Sequence, residues 1–297
     1  MEKAAAANSG PEPDGQRGEI GDLHGCGVPP RRCRKTGRDG LAAPIPGINA
    51  RQCCVAAAKT FRKGPCVTTA YSDPRDSLIA VEGVYAPQED SQFLIDVMEK
   101  TGLARGRRVA DLCTGSGVVA IAAAEQAASE VTAFDVCPQA VRCARINALA
   151  VGVDVDVHLG SWARATEFGP FDLVVCNPPY VPHDPDVPSA PIPSTIGSTH
   201  AWDAGHDGRR VLDPLSAAVP DLLAPGGTFL VVQSEFAVPR KTLAMLAAAG
   251  LDAEVVAYQW IPFGPVLTSR AGWLEDTGRL EPGRREEELV VIRAENP

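Results

Sequence analysis

The chain has 297 residues, a formal net charge of −9, 45% hydrophobic residues and 22% charged residues. These fractions are ordinary for a soluble globular protein, and the length suffices for one large domain or two small ones. No apolar run approaches the roughly 20 residues that cross a bilayer, and the first residues lack the apolar core of a signal peptide. We therefore expect a cytoplasmic protein with no membrane partner.

The charge is distributed unevenly along the chain. Residues 1–70 hold 11 of the 28 basic side chains and only 6 of the 37 acidic ones, so the remainder is strongly acidic. An acidic body is a poor surface for tracking a phosphate backbone. The composition therefore disfavours a long nucleic acid as the partner, although a local basic patch would still accommodate one.

Residues 1–70 also differ from the rest in composition. Glycine, proline, arginine and small residues dominate, and such a segment cannot bury enough apolar surface to offset its ordering entropy. Five of the nine cysteines lie there without the CxxC or histidine spacing of a zinc site, so we predict reduced, structural cysteines and no metal. We interpret residues 1–70 as a disordered or non-native extension and residues 71–297 as the folded domain.

From Tyr71 onward, apolar segments of strand type alternate with helical segments. The segment 171–176 is almost continuously apolar, which is typical of a strand buried on both faces. Repeated strand–helix units predict an α/β fold with a doubly wound, mostly parallel sheet. The predicted strands are 108–113, 131–136, 153–159, 171–176, 228–233, 253–260 and 288–293, and the predicted helices are 118–128, 138–150, 211–223 and 240–249.

A glycine-rich turn follows the first predicted strand. Glycines in this turn, Gly115 and Gly117, allow the backbone to approach a ligand closely. Asp135 ends the second strand, where an acid can accept hydrogen bonds from both ribose hydroxyls of a nucleoside cofactor. Asp111, at the end of the first strand, can meet the amino-acid part of a sulfonium cofactor. This pattern favours a methyltransferase that uses S-adenosylmethionine.

The same turn leaves a second cofactor open. Gly115-x-Gly117-x-x-Ala120 also fits the fingerprint of a dinucleotide-binding fold, as in an NAD-dependent dehydrogenase. A binding module without catalytic activity would carry the turn as well. The residues after the fourth strand are needed to separate these classes.

The fourth predicted strand ends in Asn177-Pro178-Pro179-Tyr180, at the sheet edge where ligands bind in this architecture. The prolines stiffen the chain, so that the Asn177 side-chain oxygen and the Pro178 carbonyl can face one cavity. Together they can accept both hydrogens of a substrate NH2 group and direct the nitrogen lone pair at a methyl donor. Tyr180 offers an aromatic wall for a planar group. We predict that these four residues are catalytic and that the methyl acceptor is a planar nitrogen.

With these elements placed, residues 80–295 resemble the HemK-type protein N5-glutamine methyltransferases, which modify the Gly-Gly-Gln glutamine of translation release factors. Further matching stretches are 84–91, Val-Tyr-Ala-Pro-Gln-Glu-Asp-Ser, and 201–209, Ala-Trp-Asp-Ala-Gly-His-Asp-Gly-Arg. The form of the first stretch is most similar to the archaeal and eukaryotic branch. The resemblance implies a Rossmann-like class I methyltransferase with a seven-stranded sheet whose last strand is antiparallel.

The resemblance also implies roles for individual residues. Asn177 and the Pro178 carbonyl would hold the acceptor amide. Two positions depart from the family pattern: Cys113 stands where glycine is usual, and Ser161 stands where an aspartate usually receives the adenine amino group. A serine hydroxyl accepts that hydrogen bond more weakly than a carboxylate does. The residues predicted to bind S-adenosylmethionine are Ser91, Asp111, Cys113, Gly115, Gly117, Asp135, Ser161 and Asn177.

The resemblance implies two protein partners, a translation release factor as the substrate and a small zinc-binding activator subunit. Methylation of an exocyclic amine on DNA or RNA, such as N6 of adenine, remains open because the same tetrapeptide supports it. Two other segments carry structural expectations. We expect the segment 267–285 to be a surface excursion before the last strand, and Glu286-Glu287-Glu288 to be a solvated face.

Overall fold

The structure is a computed structural model that describes Leu78, residues 83–187, Ile192 and residues 197–297. The predicted extension over residues 1–70 lies outside the described residues. A single seven-stranded sheet runs in the order β3-β2-β1-β4-β5-β7-β6. Its strands are β1 (Arg108–Leu112), β2 (Glu130–Asp135), β3 (Asp156–Leu159), β4 (Phe171–Cys176), β5 (Leu223–Ser234), β6 (Asp252–Pro262) and β7 (Glu286–Glu295).

Seven helices flank this sheet in the part of the chain that the structure describes. Among those same residues, no helix is long and apolar enough to span a membrane. The helices are α1 (Glu89–Thr101), α2 (Val118–Glu125), α3 (Pro138–Val151), α4 (Trp162–Ala165), α5 (Leu212–Ala218), α6 (Pro239–Ala248) and α7 (Pro265–Asp276).

The strand directions confirm the doubly wound sheet and its antiparallel last strand. Strand β1 pairs in parallel with both β2 and β4, and β4 pairs in parallel with β5. Strand β7 is antiparallel to both β5 and β6. The almost continuously apolar β4 is buried along nearly its whole length, as its composition predicts. This arrangement brings the carboxyl ends of β1, β2 and β4 to one edge of the sheet.

Several element boundaries differ from those predicted. Helix α2 ends at Glu125 because the chain turns at Ala127, which has a positive φ of 63°. The third strand begins at Asp156 and not at residue 153, and α5 ends at Ala218, before a short 3-10 turn. The glycine pair 226–227 lies inside β5, which begins at Leu223. Propensity alone fixes the ends of elements poorly.

Three features of the domain were missed or wrongly predicted. Helix α1 precedes the sheet and buries an apolar face that includes Leu94 and Met98. The predicted surface excursion over 267–285 is wrong, because most of its first part forms α7, whose buried face includes Leu267 and Leu274. The prediction of a solvated Glu286-Glu287-Glu288 fails at its middle residue, since Glu287 is buried where β7 alternates its side chains.

Candidate functional site

The glycine turn joins β1 to α2 by way of two left-handed residues. Gly115 has φ 55° and Gly117 has φ 86°, conformations that side chains disfavour. A Cβ added at Gly117 would also lie 2.9 Å from the Ala144 Cβ of α3, so the turn packs against that helix too closely for any side chain. The sequence therefore folds locally into a tight turn whose residues are buried or partly buried.

The carboxylate of Asp111 stabilises this turn through hydrogen bonds. Its carboxylate oxygen Oδ2 accepts hydrogen bonds from the Thr114 hydroxyl at 2.6 Å and from the Ala120 amide at 3.1 Å. The carboxyl is only 1% exposed, and this burial raises its pKa to about 7, while the two hydrogen bonds oppose the rise. Asp111 thus combines a structural role in the turn with a position on the wall of the cavity described next.

Asp135 and Ser161 face the same turn from the two following strand ends. The Asp135 carboxylate accepts the Gly115 amide at 2.9 Å and the Cys137 amide at 2.8 Å, and burial raises its pKa. Ser161 begins α4, where its hydroxyl oxygen accepts the Ala163 amide at 3.3 Å. A hydroxyl retains its own hydrogen and a second lone pair in that arrangement.

These strand ends enclose a large cavity, with about 1220 Å³ of empty space, that we call the turn cavity. Phe134 and Trp162 contribute aromatic surface, and Asp111 and Asp135 contribute carboxyl groups. A cavity of mixed aromatic and polar character suits a nucleoside with a charged tail. Its wall also includes Ser91, Cys113, Thr114, Gly115, Ser116, Val136, Gly160, Ser161, Asn177 and Pro179.

A smaller pocket, which we call the distal pocket, lies on the other side of Asn177. It has about 630 Å³ of empty space, and Asn177 and Pro179 line both it and the turn cavity. Its other walls come from α1, β7 and the start of α7. The polar and aromatic residues around it are Tyr85, Gln88, Glu89, Asp90, Tyr180, Trp202 and Glu287.

A hydrogen-bonded chain orients Asn177 between the two spaces. Its Nδ2 donates to the Ser91 hydroxyl at 3.1 Å, and the Ser91 hydroxyl in turn donates to Asp90 Oδ1 at 3.3 Å. The other carboxylate oxygen of Asp90 accepts the Tyr180 hydroxyl at 3.0 Å. Because the amide nitrogen is held by Ser91, the Asn177 carbonyl oxygen remains available as an acceptor.

Burial and neighbouring negative charge raise the pKa of Glu287 and of the tyrosines in the distal pocket. Burial and the neighbouring Asp90 raise the pKa of Glu287 to about 7, against hydrogen bonding from Ser234 and attraction from Arg284. Burial and Asp90 also raise the pKa of the Tyr85 and Tyr180 hydroxyls, which therefore stay protonated and donate to Asp90. The pocket is acidic and holds its tyrosines as donors.

Cys176 ends β4, and Cys113 directly follows the paired strand β1, beneath this site. Leu112 and Cys176 are partners in the parallel register, so the next residue, Cys113, lies beside Cys176. Burial, followed by hydrogen bonding to Cys113, raises the pKa of the Cys176 thiol. Cys113 adopts φ 59°, a conformation that favours glycine, which is consistent with the predicted departure at this position. Cys113, Cys137 and Cys176 form no disulfide bond among the described residues.

The fold therefore brings every sequence-predicted site residue to one edge of the sheet. The predicted cofactor residues Ser91, Asp111, Cys113, Gly115, Asp135 and Ser161 all line the turn cavity. Gly117 packs behind the turn, against α3. Sequence reasoning missed Asp90, Trp202 and Glu287, although the first two lie within the matching stretches 84–91 and 201–209. Glu287 carried no local signal, because only the pairing of β7 determines which glutamate faces inward.

Comparison with known proteins places this arrangement among methyltransferases. The model of the family "Methyltransferase small domain" matches residues 77–189. Human methyltransferase HEMK2 is 33% identical over 182 residues, which cover 58% of this chain and 82% of that protein. The release factor glutamine methyltransferase of Gloeobacter violaceus is 31% identical over 195 residues, with 60% and 68% coverage.

Two further comparisons differ in coverage. The release factor glutamine methyltransferase of Rhodospirillum rubrum is 38% identical over 151 residues, so the chain spans about half of that longer relative, 45% of its length. Among solved structures, the Mtq2-Trm112 complex of E. cuniculi superposes with a TM-score of 0.48 at 22% identity, covering 72% of this chain and 99% of that one.

The sheet order, the glycine turn after β1, the acid after β2 and the tetrapeptide after β4 define a class I methyltransferase of the S-adenosylmethionine-dependent kind. The aligned part of this chain covers 82% of the human relative, and that similarity identifies the family within this class. The chain belongs to the HemK-type protein N5-glutamine methyltransferases.

Proposed function

We propose that this protein transfers a methyl group from S-adenosylmethionine to the side-chain amide nitrogen of a glutamine, in the Gly-Gly-Gln motif of a translation release factor. The single observation that supports this best is the position of Asn177, which lines both the turn cavity and the distal pocket. A group at that boundary can touch a methyl donor on one side and a methyl acceptor on the other.

The residues of the turn cavity fit S-adenosylmethionine. Asp135 would bind the ribose, Ser161 would accept from the adenine amino group, and Ser91, Asp111, Cys113 and the backbone of the turn at Gly115 would contact the remainder. The tight packing of Gly117 supports that backbone from behind. When bound, S-adenosylmethionine supplies an electrophilic methyl group on a positively charged sulfur.

Asn177 and the Pro178 carbonyl act on the acceptor. An amide nitrogen is a poor nucleophile because its lone pair is delocalised. If both N–H groups donate to these two oxygens, electron density stays on nitrogen and its lone pair points toward the methyl group. Transfer would form the new N–C bond at the expense of the donor's C–S bond, whose electron pair would stay on sulfur, and the surplus N–H proton would pass to solvent. Pro179 keeps the chain rigid, and Tyr180 forms an aromatic wall.

Charge favours a protein acceptor over DNA or RNA. Glu89, Asp90 and Glu287 line the distal pocket, and no lysine, arginine or histidine is among its described lining residues. A nucleotide would bring its phosphates close to these carboxyl groups, whereas a glutamine side chain on a glycine-flanked loop is uncharged. An exocyclic amine of DNA or RNA is therefore the second candidate and an outcome of the test.

The experiment offers tritiated S-adenosylmethionine together with a release factor, DNA and tRNA, to the wild-type enzyme and to Asn177→Ala. We expect label in the release factor glutamine, and at least about a hundredfold lower kcat for the variant, which loses a positioned acceptor. Calorimetric binding of S-adenosylhomocysteine by the variant should match the wild type, and NADH should give no heat. Label in nucleic acid alone would refute the proposal.

Three further proposals accompany this function, on a protein partner, on localisation and on the extent of the catalytic domain. The family resemblance supports a small activating subunit, which we propose as a partner, with zinc bound by that subunit. The exposed apolar side chains Ile146, Leu149 and Leu159, on α3 and β3, would suit such a contact. We also propose that the enzyme is cytoplasmic, where release factors act, and that residues 71–297 form its catalytic domain. Co-expression followed by size-exclusion chromatography tests the partner.

A further inference from the structure

Trp202 presents an unusual polar atom to the wall of the distal pocket. The side chain is 5% exposed and lines the pocket, and its indole Nε1 is buried with no hydrogen-bond partner among the described residues. An indole nitrogen can only donate. The guanidinium of Arg270 lies 5.3 Å above the ring, so the ring itself is held in place by α7.

Glu287 presents the complementary atom. It is 4% exposed and lines the same pocket, and its Oε2 is buried without a hydrogen-bond partner in the described part of the chain. A buried polar atom that lacks a partner costs about 1–3 kcal/mol, so folded proteins rarely retain one without a reason. Here two such atoms, a donor on Trp202 and an acceptor on Glu287, belong to side chains that line the same pocket.

A ligand that satisfies both atoms must offer an acceptor and a donor. An amide does so, because it carries a carbonyl oxygen and an N–H group. A primary amine lacks the acceptor that the indole N–H needs, and a carboxylate would be repelled by Asp90 and Glu287. The pair therefore matches the chemistry of a carboxamide and its adjoining peptide backbone.

We propose that Trp202 and Glu287 are specificity-determining residues for the methyl acceptor. The indole N–H donates to the carbonyl oxygen of the substrate carboxamide, and the Glu287 carboxylate accepts an N–H from the peptide backbone beside it. This inference rests on the proposed function and adds to it. Asn177 and Pro178 bind the NH2 group of the carboxamide, and Trp202 and Glu287 are assigned to its carbonyl oxygen and to the adjoining backbone.

The electrostatic surroundings make this recognition depend on pH. Glu287 faces Asp90 and Tyr85 from the α1 side, Glu235 from the turn after β5, Arg284 from the loop before β7, and Tyr180. With a pKa of about 7, its ionised fraction rises through neutral pH. The ionised carboxylate is a stronger acceptor for the substrate N–H than the protonated carboxyl group is, so peptide binding should strengthen as pH rises.

The test measures kcat and KM for a Gly-Gly-Gln peptide at saturating S-adenosylmethionine, in Trp202→Phe, Glu287→Gln and the matched control Glu286→Gln, whose side chain is exposed. Phenylalanine keeps an aromatic ring at this position and removes the indole donor together with part of the ring system. We expect each pocket variant to raise the peptide KM roughly tenfold and to change kcat by less than about threefold, as for loss of one buried hydrogen bond. The wild-type KM should fall as pH rises through about 7 and become flat in Glu287→Gln.

The possible outcomes distinguish a failure of the proposed function from a failure of the roles assigned to Trp202 and Glu287. If the wild type does not methylate the glutamine peptide, the proposed function fails and this inference with it. If the wild type is active and either pocket variant keeps a wild-type KM, the pairing is overturned while the proposed function stands. Should a variant not fold, the wild-type complex with S-adenosylhomocysteine decides: the indole N–H resonance of Trp202, one of four, must shift when the peptide is added.

Discussion

The side chain of Asn177 donates a hydrogen bond to the hydroxyl of Ser91, 86 positions earlier in the chain, over a distance of 3.1 Å. Ser91 lies in the first turn of α1, and Asn177 follows β4, so the contact ties the helix before the sheet to the residue that borders both cavities. The contact also fixes which end of the Asn177 amide faces the donor group of a substrate.

Removing the Ser91 hydroxyl tests this contact. In Ser91→Ala the Asn177 amide loses its anchor and can rotate, so we expect kcat to fall by roughly tenfold, the cost of one misplaced hydrogen bond. Ser91→Thr keeps the hydroxyl and serves as the matched control, with kcat within about threefold of wild type. Steady-state methylation of a release factor peptide is the measurement. Equal loss in both variants would mean that bulk at this position matters and the hydroxyl does not.

The close packing of Gly117 against α3 predicts that a side chain at this position destabilises the fold. Gly117 and Gly152 have nearly the same φ, 86° and 83°, but only at Gly117 would a Cβ meet another residue, at 2.9 Å from Ala144. Both Gly→Ala variants incur backbone strain of about 1 kcal/mol, and Gly117→Ala adds a clash of about 1–3 kcal/mol. Urea denaturation should therefore rank Gly117→Ala as the less stable. Equal free energies of unfolding for the two variants would show that α3 moves to accommodate the new side chain without loss of stability.

The buried Asp111 predicts a dependence of stability on pH. Burial raises its folded pKa from 3.8 to about 7, so the folded state holds a proton that the unfolded state releases. Its contribution to stability is fully present below pH 3.8 and is lost as pH rises to about 7. Asp111→Asn, which stays neutral, should therefore gain stability relative to wild type across that window and plateau above it. Free energies of unfolding at several pH values, without cofactor, give the comparison; parallel curves would contradict it.

The buried Arg209 is a structural residue whose geometry predicts the outcome of a conservative change. Its guanidinium donates to Asp213 at 2.6 Å and to the Thr242 hydroxyl at 3.0 Å, and also to the Ala237 carbonyl. A lysine cannot reach several acceptors at once, so Arg209→Lys should destabilise the fold by about 2–4 kcal/mol. The exposed neighbour offers a control, Arg210→Lys, which should change stability by less than about 0.5 kcal/mol. Thermal unfolding of both variants decides whether the guanidinium is needed.

The seven strands, the four helices α2, α3, α5 and α6, the glycine turn and the tetrapeptide could be predicted from the sequence, because each depends on periodicity or on residues close together in the chain. Asp111 and Asp135 lie at the ends of β1 and β2, and Asn177 directly follows β4. Because the carboxyl ends of parallel strands meet at one edge of the sheet, their convergence could also be predicted. The departures from the family pattern at Cys113 and Ser161 could also be recognised in the sequence, because each lies close to the end of a strand.

What the sequence could not determine was the distal pocket. The antiparallel pairing of β7 decides that Glu287 points inward while Glu286 stays exposed, and a shift of one residue would reverse this. The packing of α7 and α1 decides that Trp202 and Asp90 line the pocket with it. Chain-local patterns fix which residues lie at the carboxyl ends of strands, whereas contacts between residues about 85 to nearly 200 positions apart, which only tertiary packing brings together, decide what the acceptor meets there.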